Sequence, residues 1–127
     1  MDINRRVIAL VIFAAVSIVG FMVKLPRVFH HHDKELHAAF YFLGFLFLTY
    51  LFPRRWILIA FLMGFFGIAI EYAQEFSNKV TLRLIGKRIH GRFDIEDVEF
   101  NLLGLFFGVV LFLIIKNVFQ PRENKTD

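Results

Sequence analysis

Gly91 to Gly108 reads GRFDIEDVEFNLLGLFFG, and the fold turns on this stretch. Its first half carries Arg92, Asp94, Glu96, Asp97 and Glu99, and its second half opens an apolar run that reaches Phe119. Asp97, Asn101, Gly104 and Gly108 are spaced four, three and four apart. On a helix that spacing puts a carboxylate, an amide and two bare backbone patches on one face.

Two other segments repeat the layout. Asp33, His37, Tyr41, Gly44 and Leu48 are spaced four, four, three and four apart; Gly64, Gly67, Glu71 and Gln74 are spaced three, four and three. Each stripe places small residues in the middle of an apolar run and polar ones toward one end. The runs are Val7–Val23, Leu36–Phe52, Trp56–Phe76 and Leu102–Phe119. Their length and composition predict an all-α chain, an integral membrane four-helix bundle in one domain. Pro53 stops the second run and Pro121 follows the fourth. The tail 120–127 is polar. The first run follows Arg5 and Arg6 but has no A-x-A site after it, so it reads as a retained anchor, not a signal peptide.

The turn Pro53-Arg54-Arg55 makes the second and third spans antiparallel neighbours. The connection 24–35 holds three consecutive histidines, which read as solvated. In Ser77–Phe93, Val80, Leu82 and Leu84 alternate with polar residues, as in a short hairpin. Lys87, Arg88 and Arg92 beside Ile85 and Ile89 equally fit a segment lying on lipid headgroups. Both readings stay open here. Threading four spans sends all three polar ends to the side away from the termini. Lys and Arg divide seven against eight between the two sides, so orientation rests on Arg5 and Arg6 beside the first helix, which predict cytoplasmic termini.

Composition excludes several classes. The chain has 127 residues, no cysteine and 18 phenylalanines. Without cysteine there are no disulfides, CxxC redox chemistry or thiolate metal sites. The formal charge of +4 sits in the connections, where anionic lipid headgroups account for it, and no nucleic-acid-binding motif is present. Ser17 and Ser77 belong to no nucleophile constellation. A transporter is disfavoured, because four short helices leave little room for alternating access without a homo-oligomer.

The polar ends carry the candidate chemistry. Trp56, an interfacial anchor, lies fifteen residues before Glu71, roughly 22 Å along a helix. Glu71 therefore sits inside the far edge of a hydrocarbon layer about 30 Å thick. A charged carboxylate facing lipid there costs on the order of 3 kcal/mol, so Glu71 must turn inward and meet water, a proton or a cation; His37, Lys34 and Arg92 are within reach. The glycines are explained by close helix packing alone. Asp94 reads as the N-cap of the last helix, with Glu96 and Asp97 in its first turn.

In order, Asp33-Lys34-x-x-His37-x-x-x-Tyr41, Glu71-x-x-Gln74, Arg92 and Asp97-x-x-x-Asn101-x-x-Gly104-x-x-x-Gly108 resemble the VanZ-like family of small bacterial membrane proteins. The resemblance covers Asp33 to Gly108. It implies a place in the cytoplasmic membrane, work at the cell envelope and a link to glycopeptide (teicoplanin) resistance, without supplying a reaction. One departure is the long insert between Gln74 and the arginine. Arg92 is chosen for its place before Asp97, with Arg83 and Arg88 as alternatives.

Two function classes follow. The first is an envelope enzyme acting on a lipid-linked or glycan headgroup at the outer leaflet. Asp33, His37, Glu71 and Asp97 would be its acid/base groups or ligands of a divalent metal, while Lys34, Tyr41, Gln74, Arg92 and Asn101 would hold substrate. The second is a non-catalytic module that binds an envelope lipid, an antibiotic or a partner membrane protein, the same network fixing helix registry.

Overall fold

The computed structural model describes residues 1–22, 27–89 and 93–119. Four α-helices follow one another: α1 (Ile3–Met22), α2 (Asp33–Leu51), α3 (Trp56–Ile85) and α4 (Ile95–Phe119). Short 3-10 turns cover Arg27–His32 and Pro53–Arg55, and no strand occurs among the described residues. The chain is thus all-α, as its sequence predicts. Val23, Arg92 and the tail 120–127, all used in the sequence reading, lie outside the described residues.

Three segments, Ile3–Met22, Pro53–Ile85 and Ile95–Phe119, are long and apolar enough to cross a membrane. The second helix falls short of that measure because Asp33, Lys34 and Glu35 occupy its first turn. It is nevertheless the centre of the molecule. Tyr41 and Phe45 are fully buried, and Leu48 and Leu51 nearly so. Its most extensive packing is on α4, and it also packs on α3. The outward faces are apolar: Tyr50, Phe61, Phe65, Phe106 and Val118 are all well exposed. So large an apolar surface is foreign to a monomer in water and natural in lipid.

Glycine sets the α2–α4 distance. A Cβ built on Gly104 would lie 2.7 Å from the carbonyl carbon of Ala38 and 2.8 Å from its Cα. Backbone touches backbone there, an approach only glycine permits. One turn on, Gly108 faces the Phe42 carbonyl at 3.3 Å and the Phe45 ring at 3.1 Å from the same hypothetical atom. α1 is attached more loosely. Only Ser17 is buried in it. Its Phe13 ring stacks on Phe40 and meets Phe47, and Phe21 packs edge-on against Phe40 and Phe66.

Of the two readings of the connection Ser77–Phe93, the hairpin does not hold. No hairpin forms in the described part; α3 runs unbroken from Trp56 through Ile85. No Gly or Pro interrupts it between Gly67 and Gly86, so the helix propagates past the alternation of Val80, Leu82 and Leu84, which is too short to enforce a strand. The Thr81 hydroxyl donates back to the Ser77 and Asn78 carbonyls at 3.0 and 3.2 Å. Gly86 then ends the helix at φ 69°, its N–H reaching the Leu82 carbonyl at 3.1 Å. That left-handed cap favours glycine, which has no Cβ to strain it. At 30 residues α3 is roughly 45 Å long, longer than a hydrocarbon layer of about 30 Å.

The chain then returns along α3. Phe93 N–H donates to Glu75 Oε2 at 3.3 Å, and Asp94 N–H lies 3.5 Å from Glu71 Oε2. Asp94 caps α4 by accepting the Glu96 N–H at 2.9 Å. The helix therefore begins well before the apolar run at Leu102, and its polar first two turns carry Asp97 and Asn101.

Replacing Gly104 with Ala should lower the stability of the detergent-solubilised protein by about 1–3 kcal/mol, as overpacking generally does. The matched Gly64→Ala should be nearly neutral, because a Cβ there meets Leu105 and Leu102 only at 3.7 and 3.9 Å. Thermal unfolding of both variants in one detergent compares them directly.

Candidate functional site

Each polar stripe ends at the same place. His37, one turn into α2, bonds through Nδ1 to Asn101 Oδ1 on α4 at 3.0 Å. His37 is 8% exposed and Asn101 1%. An amide oxygen only accepts, so Nδ1 is the donor and Nε2 faces the other way. There it lies 3.8 Å from Asp33 Oδ1, one helical turn earlier. Asp97, one turn before Asn101 on α4, completes the group: one ligating atom each of Asp33, His37 and Asp97 lie within 4.8 Å of one another. The close α2–α4 approach at Gly104 makes these cross-helix contacts possible.

A second, deeper layer lies beside Gly67 on α3. An atom in the Cβ position of Gly67 would stand 3.0 Å from Tyr41 Oη and 3.3 Å from Asn101 Nδ2. Both polar atoms are buried without a hydrogen-bond partner, as is Glu71 Oε1. Glu71 is 1% exposed, and only its Oε2 receives a long contact from Asp94 N–H. Glu71 lies within electrostatic range of Asp97, Asp94 and Asp33. A phenol, an amide and a carboxyl, all desolvated and none fully satisfied, are an uncommon group inside a helical bundle.

The remaining candidates have other duties or lie elsewhere. Lys34 pairs with Glu96 across the α2–α4 rim. Gln74 donates its amide to the Phe21 carbonyl of α1 at 2.6 Å, so it ties the first helix to the third. Arg92 lies outside the described residues, and the alternatives Arg83 and Arg88 are exposed. His31 and His32 are exposed on the turn before α2, with His32 3.9 Å from Glu35.

Three contributors escaped the sequence reading. Glu96, a first-turn acid by its place in the sequence, partners Lys34. Glu75 holds the Phe93 N–H; its place four residues after Glu71, on the same helical face, was the available signal. Phe21 closes the pocket on the α1 side, its ring edge-on to His37 at 5.1 Å, and nothing in an apolar run of α1 marks it.

Below the polar layer an apolar groove of about 690 Å³ runs between α1 and the α2–α3 pair, bounded by Val7, Phe13, Phe40, Met63 and Phe66 among others. Phe40 and Phe66 also touch Phe21. The Phe21 ring thus stands between one end of the groove and His37, and Arg55 is among the residues that line the groove.

Comparison with known proteins finds no matching family model, curated protein or solved structure.

Gln74→Leu should release α1 while leaving the polar group intact. Spin labels on α1 and α3 should show a broader distance distribution in the variant, whereas labels on α2 and α4 should report an unchanged distance.

Proposed function

We propose that the chain is a VanZ-like protein of the bacterial cytoplasmic membrane whose four helices all cross the bilayer. On this reading its polar pocket opens at the outer leaflet and takes the headgroup of a lipid-linked or glycan envelope component. The observation that carries the reading is the convergence of His37, Asn101, Tyr41 and Glu71 in a buried polar layer at the bundle end opposite both termini. A membrane bundle keeps such groups at a cost and mainly where they meet a polar ligand, ion or proton path. The apolar groove supports a lipid-linked ligand, because it offers apolar walls to a tail and only the Phe21 ring separates two of its lining residues, Phe40 and Phe66, from His37. α2 is too polar in its first turn to be picked out as a span by itself, but it packs on both α3 and α4 and its short turn binds it to α3.

In the enzyme form of this proposal, Glu71, His37, Asp33 and Asp97 exchange protons with the headgroup or its attacking group. Tyr41 and Asn101 hold it through their unpartnered polar atoms. The non-catalytic form also has an observation in its favour: the His37–Asn101, Lys34–Glu96 and Gln74–Phe21 contacts each join two helices. Such a network could fix helix registry and nothing more.

Glu71→Gln keeps the side chain's shape and removes its titratable group; His37→Gln removes the imidazole. Both variants, expressed at wild-type level, should lose activity in a glycopeptide-resistance assay if the pocket works on a headgroup. Full activity in both would leave the network a packing device.

Orientation has its own test. A C-terminal alkaline phosphatase fusion should be inactive, and a fusion at Gly86 active. The reverse pattern would place the pocket on the cytoplasmic side.

A further inference from the structure

We infer that Asp33, His37 and Asp97 form a binding site for a divalent transition-metal ion, of the class of Zn²⁺ or Mn²⁺. The site lies at the mouth of the pocket proposed above and would serve the headgroup there. Its own existence depends only on the three ligands and the residue that orients them.

The argument begins with the orientation of the imidazole. Asn101 Oδ1 takes the proton of His37 Nδ1 at 3.0 Å. Ligating histidines are commonly held in this way, with the second ring N–H given to a fixed acceptor while the opposite nitrogen faces the ion. Nε2 faces the Asp33 carboxylate, and one ligating atom each of Asp33, His37 and Asp97 gather within 4.8 Å. Metal bonds of about 2.0–2.2 Å place neighbouring ligand atoms roughly 3.4 Å apart in a tetrahedron. The 3.8 Å between Nε2 and Asp33 Oδ1 is close to that value. Both aspartates are only partly buried, so their carboxyl groups have room to rotate inward.

Charge points the same way. Asp33, Asp94 and Asp97 lie within electrostatic range of buried Glu71, and Asp33 and Asp94 within that of Asp97. Lys34, the lysine nearest this group by sequence, is paired with Glu96 and reaches Asp97 only through its longer-range field. Among the described residues, no arginine enters the group. A lone pair on Nε2 beside the Asp33 carboxylate, with Asp97 in the same cluster, calls for a cation among them, either a second proton on the ring or a metal ion. The donor set favours a metal of a particular kind. One imidazole and two carboxylates with no thiolate suit Zn²⁺ or Mn²⁺; Mg²⁺ and Ca²⁺ prefer oxygen alone. Three protein ligands leave a coordination position toward the pocket for an oxygen of the headgroup.

The test uses the full chain in detergent, stripped with EDTA and titrated with Co²⁺ as a spectroscopic probe and with Zn²⁺ by calorimetry. The background variant carries His30→Gln, His31→Gln and His32→Gln, which removes the histidine run as a competing site. One ion per chain is expected, with a Co²⁺ visible band that Zn²⁺ displaces and that excess Mg²⁺ does not. Asp97→Asn and Asp33→Asn should each weaken binding at least tenfold, and Asn101→Leu about 10–100-fold through loss of ring orientation. Glu96→Gln should leave it unchanged. Because a variant could misfold, the unsubstituted pocket is also read by ¹⁵N NMR of His37: saturating Zn²⁺ should shift Nε2 and leave Nδ1 protonated. No stoichiometric binding in the background variant, or unchanged His37 nitrogens at saturation, would mean a proton fills the role and overturn the inference. Binding that survives both aspartate substitutions would do the same. Metal is measured here without envelope lipid, so its failure leaves the headgroup reading to the resistance assay, and the converse also holds.

Discussion

The contact between the backbones of α2 and α4 at Ala38 and Gly104 is the constraint from which the site follows. At most helix crossings side chains hold the axes apart. Here a missing Cβ lets α4 settle directly on α2, and Gly108 continues the seam one turn further. Asn101 lies one turn before Gly104, and Asp97 one turn before that. Once the seam is closed, both are carried onto the polar first turns of α2, and the short bond between His37 and Asn101 becomes possible. A side chain at position 104 would part the helices and with them the whole polar layer.

That layer is arranged by depth. At the rim, Lys34 and Glu96 pair where both are partly exposed. Beside them, Asp33 and Asp97 share a small space with His37, which lies one turn further in on α2. Deeper still, Tyr41, Asn101 and Glu71 place unsatisfied polar atoms around Gly67. Polar atoms buried singly cost about 1–3 kcal/mol each when unpaired, so their concentration at one point sets this end of the bundle apart from the rest, which is lined with Phe, Leu and Ile. The groove beneath, against the more loosely held α1, is an apolar space separated from this polar one by Phe21, which packs on Phe40 and Phe66.

α3 performs two tasks with one helix. Its first part packs in the bundle through Ile59, Met63 and Ile70. Its last turns project beyond Glu71, and the returning chain lays the N–H groups of Phe93 and Asp94 against Glu75 and Glu71. The two acids on one face of α3 thus receive the approach to α4, and Asp94 is placed to cap it.

The sequence alone determined the all-helical class, the turn at Pro53, and the alignment of polar and small residues along three helices. Those features follow from local rules: apolar runs too long for strands, a residue that cannot continue a helix, and a 3.6-residue period that assigns faces. It also indicated that the polar ends share one side, because threading fixes direction. It could not give the structure of Ser77–Ile85, where the alternation of Val80, Leu82 and Leu84 matched a strand locally but an uninterrupted helix upstream carried through it. Nor could it distribute partners among the candidates. Gln74, in line with Glu71 by spacing, reaches to α1, and Lys34 goes to Glu96, whereas His37 and Asn101, far apart in sequence, meet. Spacing says which residues share a face; only the tertiary packing of one face on another, set by the distance that Gly104 permits, decides which atoms come within bonding range.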